Sequence, residues 1–318
     1  MARRALGPAT LAVVAAIEDA HRGEDVLVAC SGGADSVALA HGARLAAGRR
    51  GFAARAVVVD HGLQEGSAAQ ASRVAAGLTE AGLPADVVRV RVTQDGSGPE
   101  AAARTARYRA LADAGRPVEL CYLGHTRDDQ AETVLLGLAR GSGPRSLAGM
   151  ARRRDGFVRP LLDLTRTTTR QCCDELGLDW WEDPHNTERR FARVRVREVV
   201  LPVLERELGP GVAAALARTA SLAREDADAL DQLAAAIDAP AELPCAVLEP
   251  LPAALRQRVL RRWLLARGAT QVGRAHTLAV AALVTDWHGQ RWVEVPGLKV
   301  VRSSGVLVAD FSLRPPSL

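Results

Sequence analysis

The segment with the clearest chemical meaning is Ser31–Ser36, whose residues are SGGADS. It follows an apolar run and precedes a helical pattern, a junction where backbone N–H groups and the positive helix end bind phosphate oxygens. Its glycines let the backbone approach a ligand closely, and its serines add hydroxyl groups. Asp35 would repel a phosphate unless a divalent cation lay between them. The segment therefore predicts a nucleotide site in which Asp35 binds Mg²⁺.

Other phosphate-binding motifs do not account for this segment. A Walker loop requires a lysine followed by serine or threonine, and the only lysine in the sequence is Lys299. The dinucleotide fingerprint G-x-G-x-x-G is absent from the sequence. A simple strand–turn–helix connection with a serine cap would leave Asp35 without a purpose, because capping does not demand that acid.

A second group of reactive side chains lies in residues 124–133, GHTRDDQAET, after a later apolar run. Asp128 and Asp129 lie four and three residues before Glu132, so the acids share one face of a predicted helix. Like charges at this spacing repel, and a bound cation, either Mg²⁺ or an amine substrate, is the natural reason to keep them together. The dipole at a helix start explains Asp128 and Asp129 by itself, but it does not explain the adjoining His125.

A third candidate is the turn Asp60-His61-Gly62-Leu63, which ends another apolar run. In a doubly wound sheet the carboxyl end of such a strand faces the nucleotide, so this turn could receive adenine or ribose. An isolated Asp-His-Gly sequence is more often only a turn. The upstream phosphate segment is what makes this turn a candidate.

These motifs need a scaffold, and the first two hundred or so residues alternate short apolar runs with helical patterns. That alternation is typical of a parallel sheet covered on both faces, with ligands at the carboxyl ends of its strands. The predicted fold class is α/β, a doubly wound parallel sheet of the Rossmann-like kind. The predicted strands are 26–30, 56–59, 87–92 and 118–123, and the helices that follow them are 37–47, 67–81, 100–114 and 128–139.

After Gly141 the pattern changes to a loop rich in glycine and arginine, and helices are predicted further on. A glycine–proline break then precedes one long helix, and prolines mark the entry to a smaller α+β domain. We predict a catalytic domain over 1–210, a linker helix over 211–238 and a C-terminal domain over 239–318. The predicted elements are helices at 166–176, 190–208, 212–237, 253–266 and 274–285 and strands at 291–295, 298–302 and 305–310.

The composition limits the class of protein. A chain of 318 residues with 48% hydrophobic residues can bury the cores of two domains. No uncharged apolar run is long enough to span a membrane, and Leu11–Ile17 indicates a first helix rather than a signal peptide. Scattered cysteines without a CxxC pair favour a reducing, cytoplasmic compartment and argue against zinc or iron–sulfur sites. A net charge of +4 is weak evidence for nucleic acid, so clustering of arginines must support that inference.

Several separated motifs resemble those of one family, the tRNA(Ile)-lysidine synthetases, in order and approximate spacing. Ser31–Ser36 is similar to the PP-loop of enzymes that split ATP between its α and β phosphates, and alone it indicates only that superfamily. Residues 124–143 are the block that points to this member. The resemblance is strong over about 25–210 and weaker to the end. The other matching segments are DHGL at 60–63, EAAARxxRY at 100–108, RPLL at 159–162, DPxN at 183–186 and RxRxR at 193–197.

The resemblance implies a ligase that joins free lysine to the wobble cytidine of an isoleucine tRNA with a CAU anticodon. Cytosine O2 attacks the α-phosphate of ATP, pyrophosphate leaves, and the lysine amine then attacks C2 and expels AMP. The implied partners are tRNA(Ile) and L-lysine, with ATP and Mg²⁺ as cofactors, and no membrane. The small C-terminal domain is similar to a substrate-binding domain of these enzymes. The sequence does not determine the oligomeric state, and a homodimer is one option.

The candidate residues follow from these chemical requirements. Asp35, Asp129, Glu132 and His125 are the predicted catalytic residues, and Asp128 joins Asp129 and Glu132 in the predicted lysine site. His125 either assists a proton transfer or shapes the nucleotide pocket. The predicted ATP site comprises Ser31, Gly32, Gly33, Ala34, Asp35, Ser36, Asp60, His61 and Gly124. The predicted tRNA contacts are Arg104, Arg107, Arg152, Arg153, Arg190, Arg193 and Arg197.

Several of these arginines also have a purely structural interpretation. Arg190, Arg193 and Arg197 share one stripe of a predicted helix, which can equally be a solvated face. Arg104 can form an ion pair with Glu100 one turn earlier. The run 152–154 lies in a predicted loop, where an RNA contact is the better explanation.

Three other functions stay open at this point. A PP-loop tRNA thiolase would need a cysteine set that the adjacent Cys172 and Cys173 do not provide. A synthetase that adenylates a small molecule fits the phosphate segment alone. A non-catalytic nucleotide- or RNA-binding module would gain nothing from clustered acids, so Asp35 and the acidic helix face argue against it.

Overall fold

The computed structural model describes residues 5–60, 62, 66–90, 99–141, 143–182 and 188–310. The chain divides into two compact units, Met1–Arg224 and Glu225–Leu318. The division falls inside the long helix Val212–Ala235, which lies in the segment predicted as a linker. The domain limits at 210 and 239 stay predictions. None of the described helices is long and apolar enough to cross a membrane.

The first unit contains a six-stranded sheet made of β1 (Asp25–Ala29), β2 (Ala54–Asp60), β3 (Ala85–Arg89), β4 (Glu119–Leu123), β5 (Arg153–Arg154) and β6 (Phe157–Val158). Their order across the sheet is β3-β2-β1-β4-β6-β5. Neighbouring strands are parallel except β5 and β6, which are antiparallel. The carboxyl ends of β1, β2, β4 and β6 therefore meet at one edge, where ligands bind in such sheets.

The helices of this unit are α1 (Pro8–Ala20), α2 (Ala34–Arg50), α3 (Ser67–Glu80), α4 (Pro99–Ala114), α5 (Arg127–Ala139), α6 (Pro144–Leu147), α7 (Arg166–Leu176), α8 (Ala192–Arg195) and α9 (Leu201–Leu208), and α10 (Val212–Ala235) continues into the second unit. Val26 and Val28 belong to a buried cluster with residues of α1, α2, α3 and α7. Leu27, on the opposite face of β1, packs in another cluster with Leu111 of α4. Because successive strand residues point to opposite faces, helices on both faces bury the whole apolar run.

The predicted doubly wound α/β fold is confirmed, with small differences at element ends. The third strand, predicted at 87–92, occupies Ala85–Arg89. The first crossover helix, predicted from Val37, begins at Ala34. It includes Asp35 in its first turn, so this acid is held by the helix backbone rather than by a free loop.

The prediction of a loop after Gly141 is wrong at residues 153–158, because the β5–β6 hairpin extends the sheet there. Asp155 and Gly156 both have positive φ, 51° and 79°. Positive φ at both central residues defines a type I′ turn, for which Asp-Gly is a preferred sequence. The flanking strands have two residues each, too few to show an alternating pattern.

The helix predicted over 190–208 also differs in form. It begins at Ala192 and passes through a π-helical segment, Val196–Val200, before α9. Pro202 lies in the first turn of α9 and has no N–H to donate to the carbonyl of Glu198. A locally widened turn accommodates such a proline without ending the helix.

The second unit comprises β7 (Leu243–Pro244), α11 (Cys245–Leu248), α12 (Ala253–Ala266), α13 (Arg274–Thr285), β8 (Val293–Val295), β9 (Leu298–Ser303) and β10 (Val306–Asp310). The two predicted helices and the three-stranded meander are confirmed, and β7 adds a fourth strand beside β10. Trp263 of α12 is almost fully buried in the core between helices and sheet. Its indole N–H donates to the carbonyl of Pro240, 2.8 Å away.

Candidate active site

The predicted phosphate segment forms a tight turn between β1 and α2 that one serine organises. The hydroxyl of Ser36 accepts the Ser31 N–H at 3.1 Å and donates to the Gly33 carbonyl at 2.8 Å. Gly32 has a φ of 85°, and a Cβ placed there would lie 2.8 Å from a methyl of Val74. Only glycine fits this position without displacing α3. The turn is therefore held in one shape before any ligand arrives.

The start of α2 is open toward the edge of the sheet. Its cap residue is Gly33, which has no side chain to accept the first N–H groups of the helix. Such N–H groups, together with the helix dipole, form an anion site. Gly124 at the end of β4 approaches this turn so closely that a Cβ would lie 3.0 Å from the Asp35 carbonyl oxygen. A larger residue at position 124 would crowd the backbone in the first turn of α2.

Asp35 lies between the phosphate turn and α7. The Thr169 hydroxyl donates to its Oδ1, and the Nε atom of Arg166 lies 3.7 Å from its Oδ2. Burial raises the pKa of Asp35 to about 6, an effect that the Thr169 hydrogen bond and Arg166 oppose and that Asp129 and Asp128 reinforce. A carboxyl group in this environment is stabilised by a cation that binds it.

Arg166, the first residue of α7, connects Asp35 to the acids of α5. Its Nη2 atom lies 3.1 Å from Asp129 Oδ1 and 3.3 Å from Glu132 Oε1. Its backbone N–H donates to Asp128 Oδ2 at 2.9 Å. We call Asp35, Asp128, Asp129 and Glu132 the acid cluster. The phosphate turn and the acidic helix face therefore belong to one site.

Glu132 lies at the centre of this cluster with no part of its side chain exposed. Its Oε2 accepts from Arg193 Nε at 2.8 Å, and its Oε1 accepts from Arg197 Nε at 2.7 Å. With Arg166, three guanidinium groups therefore share a single buried carboxylate. Charged hydrogen bonds to both oxygens are what a fully desolvated carboxylate requires.

The acids differ in how fully their oxygens are engaged. Asp129 Oδ2 accepts both the N–H and the hydroxyl of Thr126, at 2.9 and 3.0 Å, and so caps the start of α5. Its Oδ1 accepts from Arg166. Asp128 uses Oδ2 for the Arg166 N–H, and its Oδ1 accepts no hydrogen bond from the described residues. Asp128 is therefore the acid of α5 with an oxygen available to a ligand.

His125 lies between the acid cluster and a group of basic side chains. Its Nδ1 atom is buried and has no hydrogen-bond partner among the described residues. Burial lowers the pKa of His125 to about 3, and Arg159 and Arg107 act in the same direction while Asp129 opposes them. The imidazole is therefore neutral at physiological pH. A neutral ring of this kind can donate or accept one hydrogen bond but is a weak base.

The predicted adenine or ribose turn is only partly described. Asp60 at the end of β2 is buried, and its Oδ1 accepts the Gly62 N–H at 3.0 Å. Its Oδ2 lies 3.7 Å from Arg89 Nε. His61 and Leu63 lie outside the described residues, so their roles stay predictions.

The structure separates the arginines that the sequence grouped as RNA contacts. Arg193 and Arg197 turn inward to Glu132, whereas Arg190 is exposed and pairs with Glu188 at 2.6 Å. The three arginines therefore do not form one solvated face, because a buried carboxylate attracts two of them. Whether any of them contacts tRNA stays a prediction.

The other predicted RNA contacts also fall into two groups. Arg153 pairs with Glu24 at 2.8 Å, beside the amino end of β1 and so away from the phosphate turn. Arg152 pairs with Asp163, and both side chains are exposed. Arg104 and Arg107 instead lie against the ring of Tyr108, 5.0 and 5.6 Å from its centre. The Glu100 side chain proposed as a partner of Arg104 lies outside the described residues.

Sequence reasoning missed two residues that hold the site together, Arg166 and Thr169. Both lie in the first turns of α7, which the sequence predicts correctly as a helix. The matching segment RPLL at 159–162 directly precedes them and is the one usable signal. Nothing local shows that they reach residues more than thirty positions away.

The site offers no preformed metal cage and no exposed thiol. The described residues contain no group of three or more His, Cys, Asp or Glu side chains that could hold a metal ion. All five cysteines are free and buried. Burial raises the pKa of Cys173, the cysteine nearest to Asp35 among those of α7, to about 12. A persulfide or cluster chemistry based on these thiols therefore has no support.

Comparisons with known proteins agree on one family. A family model described as a PP-loop domain matches residues 10–204, and one described as a TilS substrate binding domain matches residues 243–308. Among solved structures, the U34-tRNA thiolase NcsA from Methanococcus maripaludis with its 4Fe–4S cluster has a TM-score of 0.58 at 16% identity, over 68% of this chain and 78% of that one. At that identity the likeness extends to the fold alone.

Curated relatives are similar over nearly the full length of the chain. A tRNA(Ile)-lysidine synthase of Leifsonia xyli subsp. xyli is 52% identical over 294 residues, covering 89% of this chain and 88% of its own. One from Thermobifida fusca is 52% identical over 299 residues, covering 91% and 92%. With this identity across both matched domains, the chain belongs to the tRNA(Ile)-lysidine synthase family.

Proposed function

We propose that this protein uses ATP to join free lysine to C2 of the wobble cytidine in an isoleucine tRNA with a CAU anticodon. The reaction forms a carbon–nitrogen bond and releases AMP and pyrophosphate. One observation carries the proposal beyond family membership: Arg166 links Asp35 of the phosphate turn to Asp129 and Glu132 of the acidic helix. A nucleotide site and a cation site that share one side chain suit a reaction between ATP and an amine.

The first step needs negative charge on the α-phosphate to be offset. The open N-terminus of α2 offers backbone N–H groups for the phosphates, and the serine-braced turn fixes their direction. Asp35 would hold Mg²⁺, which supplies charge neutralisation when bound. Asp35 suits Mg²⁺ because proteins commonly bind this ion with a partly buried carboxylate beside a phosphate site.

The lysine site is assigned to Asp128, Asp129 and Glu132. The free Oδ1 of Asp128 supports this acid as the one that receives the ammonium group. Asp129 and Glu132 would hold Arg166, Arg193 and Arg197 in place, so that the carboxylate of Asp128 is the one left to attract a cation. An alkylammonium ion is attracted to such a site because several carboxylates surround it in a partly desolvated space.

The amine must lose a proton before it attacks C2 of the adenylated cytidine. Asp128 is the carboxylate best placed to accept it, since its second oxygen already has a hydrogen bond. The low pKa of His125 argues against a general-base role. Its neutral ring suits the alternative, which is to shape the nucleotide pocket and donate or accept one hydrogen bond.

The RNA substrate supplies the attacking cytosine O2. A base in an anticodon loop can be turned out of its stack at modest energy, because it is not paired. The match of residues 243–308 to a substrate binding domain supports tRNA contacts by the second unit as well.

The direct test is a reconstituted reaction with purified full-length protein, radiolabelled lysine, ATP, MgCl₂ and an unmodified tRNA transcript with a CAU anticodon. We expect lysine to become attached to the RNA with one AMP and one pyrophosphate released for each lysine. The matched control is the same transcript with uridine in place of the wobble cytidine, which should stay unlabelled.

Three outcomes would contradict the proposal. Pyrophosphate release with no lysine on the RNA would point to another adenylating enzyme. Nucleotide and RNA binding without any pyrophosphate release would leave only a binding module. Incorporation of sulfur into the RNA from a sulfur donor, tested in parallel, would favour a thiolase.

A further inference from the structure

A second concave surface lies beside α4, on the side of His125 away from the acid cluster. It is a cavity of about 480 Å³ that we call the α4 pocket. Its lining consists of Arg104, Thr105, Tyr108, Arg109 and Arg159. Three of these five residues are arginines, and none is acidic, so the described lining carries positive charge only.

The arginines of the α4 pocket are not paired with any acid among the described residues. Within the described part of the chain, no carboxylate forms an ion pair with Arg104, Arg109 or Arg159. The nearby Arg107 likewise has no acidic partner there. Elsewhere in the first unit, even exposed arginines such as Arg49 and Arg50 pair with a glutamate. An unpaired set of guanidinium groups around one cavity indicates a site for an external anion.

Arg159 is buried and held in place by hydrogen bonds, so the α4 pocket is more than a patch of exposed surface charge. Only 8% of the residue is exposed, and its Nη1 donates to the Ala151 carbonyl at 2.8 Å. Its Nη2 reaches the Tyr108 hydroxyl at 3.4 Å. Its Nε is buried and has no partner among the described residues, and the same holds for Arg107 Nε. A buried charged donor without an acceptor is destabilising unless a ligand supplies one.

The position of Tyr108 decides what kind of ligand the pocket can take. Arg104 lies over its ring at 5.0 Å from the centre, and Arg107 lies 5.6 Å away. Phe157 meets the ring edge-on at 4.9 Å. Since these neighbours already contact the ring, a nucleobase would have to displace them in order to stack on it. The donors that remain suit a phosphate, whose oxygens accept from several guanidinium groups at once.

The α4 pocket lies on the same edge of the sheet as the phosphate turn. Arg159 follows β6 directly, His125 follows β4, and β4 separates β6 from β1. Two strand spacings amount to about 10 Å. A strand separation of this size suits a second phosphate of a substrate that reaches across the site.

We propose that the α4 pocket binds a backbone phosphodiester of the RNA substrate, next to the nucleotide that is modified. The inference rests on the proposed function for the identity of the RNA. The same phosphate chemistry could come from the triphosphate of ATP. The chain already offers the α2 N-terminus and Asp35 for ATP, so the RNA backbone is the source we assign.

The test uses full-length protein with Arg104 and Arg109 both changed to glutamine. Both residues are exposed, so this variant is expected to fold. The matched control changes Arg22 and Arg73 to glutamine, which removes the same two charges from exposed positions outside the α4 pocket. Binding of the CAU tRNA transcript should weaken about tenfold in the double variant. The negative slope of the log of the association constant against log salt should become shallower by about 1. The control should match the unchanged protein.

Parallel titrations with ATP and MgCl₂ distinguish the two phosphate sources. We expect the affinity for ATP to be the same in the double variant and the unchanged protein. Weaker ATP binding with unchanged tRNA binding would overturn the assignment to RNA. Unchanged binding of both ligands would overturn the site itself.

A third arm locates the phosphate. Synthetic anticodon-arm RNAs carry one uncharged methylphosphonate each, scanned across the anticodon loop. The unchanged protein should lose affinity at one position beside the wobble cytidine, and the double variant should lose none there. Equal sensitivity of both proteins at every position would overturn the proposal. Because these are binding measurements, they give an answer even if the lysine-joining reaction fails, and that failure would count against the proposed function alone.

Discussion

The acid cluster and the α4 pocket lie side by side on one edge of the sheet, and both are rich in arginine. In the acid cluster, Arg166, Arg193 and Arg197 are matched by carboxylates within 2.7 to 3.3 Å. In the α4 pocket, the arginines have no acidic partner within the described residues. The arginines of the acid cluster therefore stabilise the fold, whereas those of the α4 pocket are available to bind a ligand. Counting arginines in the sequence cannot make that separation.

Burial explains why the two regions differ. Glu132 is fully desolvated, and such a carboxylate is tolerated only with several charged donors around it. The arginines of α8 and of the π-helical segment therefore turn toward it. No carboxylate of the described residues pairs with the arginines of the α4 pocket; Arg104 and Arg109 are exposed, and Arg159 keeps an unmatched Nε donor. Substitutions in the acid cluster and in the α4 pocket should therefore differ in their effects on activity and stability.

The largest effect is expected from Asp35→Ala, which removes the only acid in the phosphate turn. Pyrophosphate release should fall at least about a thousandfold, because charge on the α-phosphate would no longer be offset. Release can be followed with a coupled phosphate assay, and far-ultraviolet circular dichroism checks the fold. Asp174→Ala, an exposed acid on α7, is the matched control. Turnover retained in the Asp35 variant would count against the metal role.

Glu132→Gln should be the most destabilising change in the acid cluster. It leaves three guanidinium groups without their shared buried charge, and the free energy of unfolding should fall by about 3–5 kcal/mol. Urea unfolding of the two proteins gives this difference. Glu182→Gln removes an exposed pair with Arg170, and its effect should stay below about 1 kcal/mol. Similar values for both variants would show that Glu132 is not the centre of the cluster.

The raised pKa of Asp35 predicts a pH-dependent gain in stability for Asp35→Asn. Folding raises the pKa of this acid from 3.8 to about 6, so the ionised form is disfavoured in the folded state. The resulting penalty is absent below pH 4, grows up to pH 6 and is constant above it, at roughly 3 kcal/mol. The asparagine variant lacks that penalty. It should be more stable than the unchanged protein at pH 7.5 but not at pH 4.

Urea unfolding at both pH values, with a chelator and without ATP, measures this difference. Adding MgCl₂ and ATP should stabilise the unchanged protein at pH 7.5 more than the variant, since a cation relieves the penalty. A stability difference that does not change with pH would refute the environment assigned to Asp35.

The smallest effect on stability is expected in the α4 pocket. Changing Arg104 and Arg109 to glutamine should alter the free energy of unfolding by no more than about 0.5 kcal/mol, because neither side chain pairs with an acid in the part of the chain that the structure describes. The same urea experiment measures it. A loss above 1 kcal/mol would mean that these arginines stabilise the fold, and the contrast with the acid cluster would disappear.

Most of the fold follows from local patterns in the sequence. The strands of the sheet and helices such as α7, α12 and α13 were predicted at or near their observed ends, because apolar periodicity and caps depend on adjacent residues. The β5–β6 hairpin was missed because its strands are too short for periodicity. The π-helical segment was missed because Pro202 perturbs the helix without ending it.

The site was predicted in part. Ser31–Ser36 and the acids of α5 were identified from residue type and spacing, and Arg166 joins them in one place. The sequence could not show which carboxylate oxygens are already engaged. That property depends on Thr126, Arg166 and Arg193, and it favours Asp128 among the three acids proposed for the lysine site.

By itself, the sequence determined the parallel sheet, the phosphate turn with its acid, and the acidic face of α5, because each is encoded within a few consecutive residues. Only the tertiary structure decided which arginines neutralise that face and which stay unmatched. The Thr169 hydroxyl and Asp35 are 134 positions apart, and Arg197 and Glu132 are 65 apart. Pairs at such separations form where helix packing brings them together, and burial then selects the partners whose charges cancel.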